Sequence, residues 1–220
     1  MRINPTVSVK IWDLPIRLFH WALVLICVVC WATATQFEDA MRWHFYAGYV
    51  TLALLLFRLL WGKFGSSTAR FSVGSLQDLL NYGRTLFQTQ PSHTPGHNPV
   101  GSWSAMALIA SAFTVSVSGL FANDAVLSKG PLAHWVSDNT SDYLSDLHQI
   151  SFNFLVGMVV IHLTAIAYYR IVKREDLVTP MLTGKKQLPE SVEDIYFVSN
   201  TRALMLFLIA AALVGWIATR

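Results

Sequence analysis

The stretch HQISFNFLVGMVVIH, residues 148–162, carries a histidine at each end of an apolar run. Fourteen residues of helix advance about 21 Å and turn through four revolutions less about 40°. His148 and His162 therefore point to nearly the same side of one helix, at two depths. Phe152, Leu155 and Val159 lie between them on that face as an apolar wall. The surrounding run, Tyr143 to Ile171, is longer than the roughly 20 residues that cross a bilayer core.

The rest of the chain has the same character. Its 220 residues are 54% hydrophobic and 13% charged, whereas about a quarter of a soluble domain is charged. That composition excludes a soluble globular fold and gives no reason to expect a nucleic-acid partner. Further apolar runs occupy Leu14 to Thr35, Trp43 to Trp61, Gly101 to Ala122 and Ala203 to Ala218. The expected fold is an all-α integral membrane protein, a four-helix transmembrane bundle followed by a fifth, C-terminal transmembrane helix. Ala32-Thr33-Ala34 resembles a signal cleavage site, but the first apolar run exceeds the about 7 to 15 residues of a signal peptide. Span one is expected to be retained.

Basic residues in short loops stay on the cytoplasmic side. With the N-terminus inside, Arg2, Lys10, Arg17, Arg58, Lys63, Arg70, Arg84, Arg170, Lys173, Arg174, Lys185, Lys186 and Arg202 fall at or near that side; only Arg42, Lys129 and Arg220 fall outside. The outer face carries Glu38, Asp39, Asp124, Asp138, Asp142 and Asp146. It would steer a basic soluble partner. On the inner side SLQDLLNYGRTLF, residues 75–87, places Leu76, Leu79, Leu80 and Phe87 roughly on one helical side, as for a helix in the headgroup layer. The next stretch, QPSHTPGHNPVGS, has loop chemistry, and residues 172–202 read as a polar linker.

Four of the seven histidines, His20, His44, His148 and His162, lie within or at the ends of spans. Ionisable residues in a membrane generally face the bundle interior and mark function. With alternating span directions, His44 matches His148 near the outer leaflet, and His20 matches His162 near the inner one. Imidazoles paired across facing helices are what bis-histidine haem iron requires. A structural zinc site wants four ligands together, whereas these pairs stand about 20 Å apart along the helix. A proton relay would want the acidic partners that the apolar interiors lack. Haem is the reading these distances favour.

Span two repeats the spacing of span four, with His44 and, fourteen residues on, Arg58. A guanidinium at that depth suits a haem propionate, and Arg17, three residues before His20, is a similar candidate. The alternative for both is snorkelling to the inner interface. Gly48, one turn beyond His44, would admit a flat macrocycle to the backbone. Gly157 faces the other way and is expected to permit helix packing, while Gly119 suits either purpose. Cys27 and Cys30 form a C-x-x-C in mid-span that reads as packing, and Trp31 after it removes the covalent haem signature. His134 and Asp124 in the outer loop suit proton relay or plain solvation. No metal is expected at His93 or His97.

VKIWDLPIRLFHW entering span one, WHFYAGY opening span two, FRLLWGKFG closing it, GHNPVGSW before span three, and LHQ with VIHLTA in span four occur together. In that order they resemble the bacterial cytochrome b561 family, which includes the b-type subunits of nickel-iron hydrogenases. The resemblance covers roughly residues 9–185. It implies a four-helix di-haem domain over residues 9–185, followed by a linker and fifth helix over 186–220. It also implies two haem b groups, one on His44 and His148 and one on His20 and His162. The implied activity is electron exchange between membrane quinone and a redox partner, in a multi-pass protein of the bacterial inner membrane with its N-terminus cytoplasmic. A c-type cytochrome would suit the acidic outer face. A subgroup of the family implies a superoxide oxidase that feeds quinone, which would want a positive funnel for the anion. A third reading is a haem-bearing anchor for a soluble dehydrogenase or hydrogenase subunit.

Overall fold

A computed structural model describes residues 6–36, 40–72, 74–85, 96–123, 128–189 and 195–220. Five long helices carry the fold: α1 (Leu14–Thr35), α2 (Met41–Phe64), α4 (Pro99–Gly119), α5 (Asp138–Ile171) and α7 (Asn200–Ala218). All five are long and apolar enough to cross a membrane. Shorter elements lie between them: β1 (Thr6–Lys10), α3 (Leu76–Thr85), α6 (Val178–Thr183) and β2 (Lys185–Pro189).

Residues suited to capping start most of the long helices. Asp13 accepts from Ile16 N at 2.8 Å, with Pro15 in the first turn of α1. Asn98 accepts from Gly101 N at 2.7 Å, with Pro99 opening α4. Ser137 and Ser199 cap α5 and α7 in the same way. Each supplies an acceptor to an N–H that has no intrahelical partner, and proline fits where no N–H is needed.

The hub is α2, which packs against α1, α4 and α7. Leu52, Ala53, Leu54, Leu55, Phe57 and Trp61 bury its sides. Lipid offers no hydrophobic drive between spans, so close packing of small residues matters more. Ala203, Ala210 and Val214 give α7 such a surface. The fifth span is thus packed along the hub. By contrast, α5 packs mainly on α4, and only Ser141 and Tyr169 of its 34 residues are buried. Gly157 departs from the sequence reading: it faces open space and not a neighbouring helix, because α5 has no helix on that side.

The small sheet was not legible in the sequence. β1 pairs antiparallel with β2, Val7 opposite Leu188 and Val9 opposite Lys186. Ile11 N and Trp12 N extend the tie by donating to the Gly184 carbonyl at 2.7 and 3.1 Å. Gly184 ends α6 with φ of 83°, a conformation glycine adopts without a Cβ clash. The stretch read as a polar linker therefore contains a helix and a strand that clamp the start of α1. Lys186 and Glu175 add an ion pair of 2.7 Å, both largely buried. A helix forms within the stretch expected to be helical, as α3, with Leu76 and Leu80 exposed. Phe87 lies outside the described residues.

Candidate functional site

The pair expected near the outer leaflet, called the outer site, is built from the first turn of α2 and the N-terminal half of α5. His44 and His148 bring their ring centres to 6.2 Å, with planes at 81°. His44 Nδ1 lies 2.9 Å from the Cys30 carbonyl, and His148 Nδ1 lies 2.8 Å from the Val115 carbonyl. A carbonyl only accepts, so both Nδ1 atoms carry the proton and both Nε2 atoms keep a free lone pair. Metal–imidazole bonds of about 2 Å on either side of one ion separate two ring centres by roughly 6 Å. The pair fits a single iron between two neutral imidazoles.

Two neighbours make this arrangement possible. Cys30 contributes its backbone oxygen, while Cys27 and Cys30 are both free thiols. Cys30 Sγ lies 3.8 Å from Thr51 Oγ1. Gly119 was open to two readings from sequence. A Cβ there would stand 2.9 Å from His148 Cε1 and 3.0 Å from Nδ1, so its role is to leave room for the imidazole. Gly119→Val is accordingly expected to push His148 off the Val115 carbonyl. The expected readout is a changed visible spectrum of the purified protein, and an unchanged one would contradict it. Gly48 has nothing within 4 Å of its Cβ position, so space stands open beside the hub helix one turn from His44.

The inner site gathers α1, α2 and α5 with the loop before α4. His20 and His162 lie close enough to interact electrostatically. Among the described residues, His20 Nδ1, Arg17 Nε and Arg58 Nη1 are buried and have no hydrogen-bond partner. Snorkelling would leave the Arg58 head group in water, but Arg58 is only 6% exposed, with its guanidinium 4.3 Å above the Phe71 ring. Arg17 donates through Nη1 to the Leu182 carbonyl. Buried donors without acceptors are costly. An anionic group between the helices would satisfy them.

His97, a loop residue at which no metal is expected, also stands beside this site. Its ring packs on Trp12 at 4.9 Å, within electrostatic reach of Arg58, His162 and His20. The signal was present in GHNPVGSW: Asn98 caps α4, so the preceding residue must sit at the end of the bundle. Asn98 Nδ2 also donates to Tyr169 Oη at 2.8 Å, and Tyr82 Oη lies 3.0 Å from the same oxygen. These bonds hold α3, the start of α4 and the end of α5 together.

His134 is exposed, with its ring 6.0 Å from that of Trp135. His93 and Asp124 lie outside the described residues. Among the described residues, no three histidine, cysteine or carboxylate side chains come together as a zinc site would need. The grouping is in twos.

Comparison with known proteins agrees with this architecture. The sequence pattern of the family described as prokaryotic cytochrome b561 matches residues 11–184. A probable Ni/Fe-hydrogenase B-type cytochrome subunit of Azotobacter chroococcum mcd 1 is 26% identical, over 88% of this chain and 94% of that protein. A protein of the same description from Cupriavidus necator is 24% identical, over 79% of this chain and 85% of its own length. One from Azotobacter vinelandii is 25% identical, over 88% and 94%. No solved structure matches. With five spans and a family match across most of its length, the chain belongs to the prokaryotic cytochrome b561 family and is a distant homologue of the hydrogenase b-type subunits.

Proposed function

We propose that this membrane cytochrome passes electrons between the quinone pool and a redox partner through two bis-histidine b haems. His44 and His148 hold the outer haem, and His20 and His162 hold the inner one. The observation that carries this reading is the outer pair, with ring centres 6.2 Å apart and both Nδ1 atoms on carbonyls. Membership of a cytochrome b561 family implies haem b. When bound, each haem accepts one electron at a time, so a two-electron quinol must give up its electrons singly.

The residues of this chain would do the rest. The Cys30 and Val115 carbonyls fix the outer imidazoles in one tautomer and orientation. Arg58 and Arg17, each with one buried nitrogen that lacks a partner among the described residues, would pair with the inner haem's propionates. Gly48 leaves space beside the hub helix for a macrocycle. Phe152, Leu155 and Val159 separate the two depths with apolar surface that excludes water. Residues 9–185 form the di-haem domain in this reading. The fifth helix steadies it through α2.

The positive-inside pattern supports a bacterial inner-membrane protein with a cytoplasmic N-terminus. The acidic outer face favours a basic partner there, either a c-type cytochrome or a soluble dehydrogenase or hydrogenase subunit. The names of the relatives favour the hydrogenase subunit, and with it the role of a haem-bearing anchor. A superoxide oxidase would want positive charge at the outer entrance, which the acidic residues there do not supply.

Anaerobic mixing of the oxidised protein with a short-chain quinol tests the activity. Reduction of the haem bands within seconds is expected. Bands that stay oxidised with quinol but are reduced by superoxide would overturn the quinone-pool reading in favour of the oxidase.

A further inference from the structure

The side of α5 turned away from the histidines is not the uniformly apolar surface that suits lipid. Gln149 and Asn153 lie about 100° and 140° around the helix from His148, with Thr164 and Gly157 at about 160° and 180°. All four are exposed, and nothing lies within 4 Å of a Cβ placed at Gly157. Thr164 satisfies itself by donating to the Val160 carbonyl at 2.8 Å. The carboxamides do not. Gln149 Nε2 reaches Asn153 Oδ1 at 3.4 Å, and among the described residues the Asn153 NH2 group has no acceptor.

These amides stand at membrane depth. His148 Nδ1 is bonded to the Val115 carbonyl, four residues before Gly119 ends α4. Asn153 lies five residues further along α5 in the antiparallel direction, so it is about 13 Å inside the end of α4. The apolar core is about 30 Å thick and holds no water to satisfy a polar group. Asn153 therefore calls for a hydrogen-bonding neighbour within the bilayer, on the side where this chain places no helix.

The chemistry of the amide selects the neighbour. A carboxamide carries two donors and an acceptor, so it is its own complement. A second copy related by a two-fold axis along the membrane normal sets each residue opposite itself at the same depth. Asn153 then meets Asn153, Gln149 is within reach a turn away, and the missing side chain at Gly157 lets the two backbones close. A helix of another protein would need a matching amide at that same level, whereas the copy has one by identity. Asp146 and Asp142 continue this side two and three turns toward the start of α5, and both are exposed. Packed helices cross at an angle and so diverge away from the contact, and exposed charges are screened beyond about 8 Å.

We infer that this face of α5 joins two copies of the chain in the membrane, with the Asn153 carboxamides hydrogen-bonded across the two-fold axis. The inference stands apart from the electron-transfer reading and does not rest on it.

The test uses the full-length, haem-loaded protein in phosphatidylcholine vesicles, with energy transfer followed between donor-labelled and acceptor-labelled copies as lipid is added. Transfer that falls on dilution as a dimer's should is expected for the parent. Asn153→Leu, which suits lipid, is expected to need about tenfold more protein per lipid for the same transfer. Its visible spectrum should match the parent's, showing an intact fold. Gly157→Ile should weaken pairing independently, so it decides the matter should Asn153→Leu fail to fold. Oxidation of Gly157→Cys should join two chains, while Val159→Cys, on the histidine side, should stay single. A parent without transfer at any ratio, an Asn153→Leu curve equal to the parent's, or equal joining of the two cysteine variants would overturn the inference. So would a monomeric parent whose Gly157→Cys is shielded from a lipid-soluble maleimide by a different co-purified membrane polypeptide, which would make that polypeptide the occupant.

Discussion

His148→Ala is expected to halve the haem content of the purified protein, removing the outer haem and sparing the inner one. The imidazole lost would be one of the two that hold this haem, 6.2 Å from the other between ring centres. Nothing else among the described residues stands ready to replace it, since no third ligand joins the pair. His44→Ala removes the opposite partner of the same iron, so the double variant should lose no more than either single one. That non-additivity is what residues acting as one unit produce. His162→Ala and His20→Ala should show the same pattern for the inner haem, and combining one variant from each pair should leave no haem at all. The measurement is a haemochrome assay against protein concentration. Full retention in all four single variants would defeat the ligand assignment.

The second large effect is expected at a residue that touches neither pair. Asp13 is 3% exposed and satisfies two donors with separate oxygens: Ile16 N on Oδ1 at 2.8 Å and Trp61 Nε1 on Oδ2 at 3.0 Å. Trp61 is fully buried, so its N–H has no recourse to water. Asp13→Ala removes an N-cap, worth about 1 kcal/mol, and strands a buried donor, costing about 1–3 kcal/mol. The sum, roughly 2–4 kcal/mol, is a large part of a typical stability of about 5–15 kcal/mol. Asp13→Asn keeps one carbonyl oxygen for the cap but turns an NH2 toward Trp61. It should therefore fall between alanine and the parent. Thermal unfolding in detergent, followed by helix signal, should rank parent above Asn above Ala. Equal midpoints for parent and Ala would show that the contact carries no weight.

Some features of this molecule were written locally and others were not. The spans were legible because length and apolarity are properties of a continuous stretch. Leu14–Thr35 is a helix over the range its composition indicates. The histidine pairs were legible because helical geometry converts a spacing of fourteen residues into two depths on one face. The pairing of β1 with β2 was hidden. TVSVK and KKQLP are short and polar, and each becomes a strand only through the other, nearly the whole chain away. The purpose of Gly119 was hidden too, because only the approach of α5 shows what would occupy its missing side chain. His97 looked like a loop residue. The cap at Asn98 places it beside Trp12 and within the field of Arg58. Gly157 shows the converse: a small residue in a span suggested packing, but no helix lies on that side.

The account stands on two six-coordinate haems in one chain, each between two imidazoles. The most direct measurement is haem stoichiometry by haemochrome assay, combined with low-temperature electron paramagnetic resonance of the oxidised, purified protein. The predicted result is two b haems per polypeptide, both ferric low-spin, because each iron would take strong nitrogen donors from two imidazoles. A single haem per chain, or a high-spin ferric signal of comparable size, would contradict it.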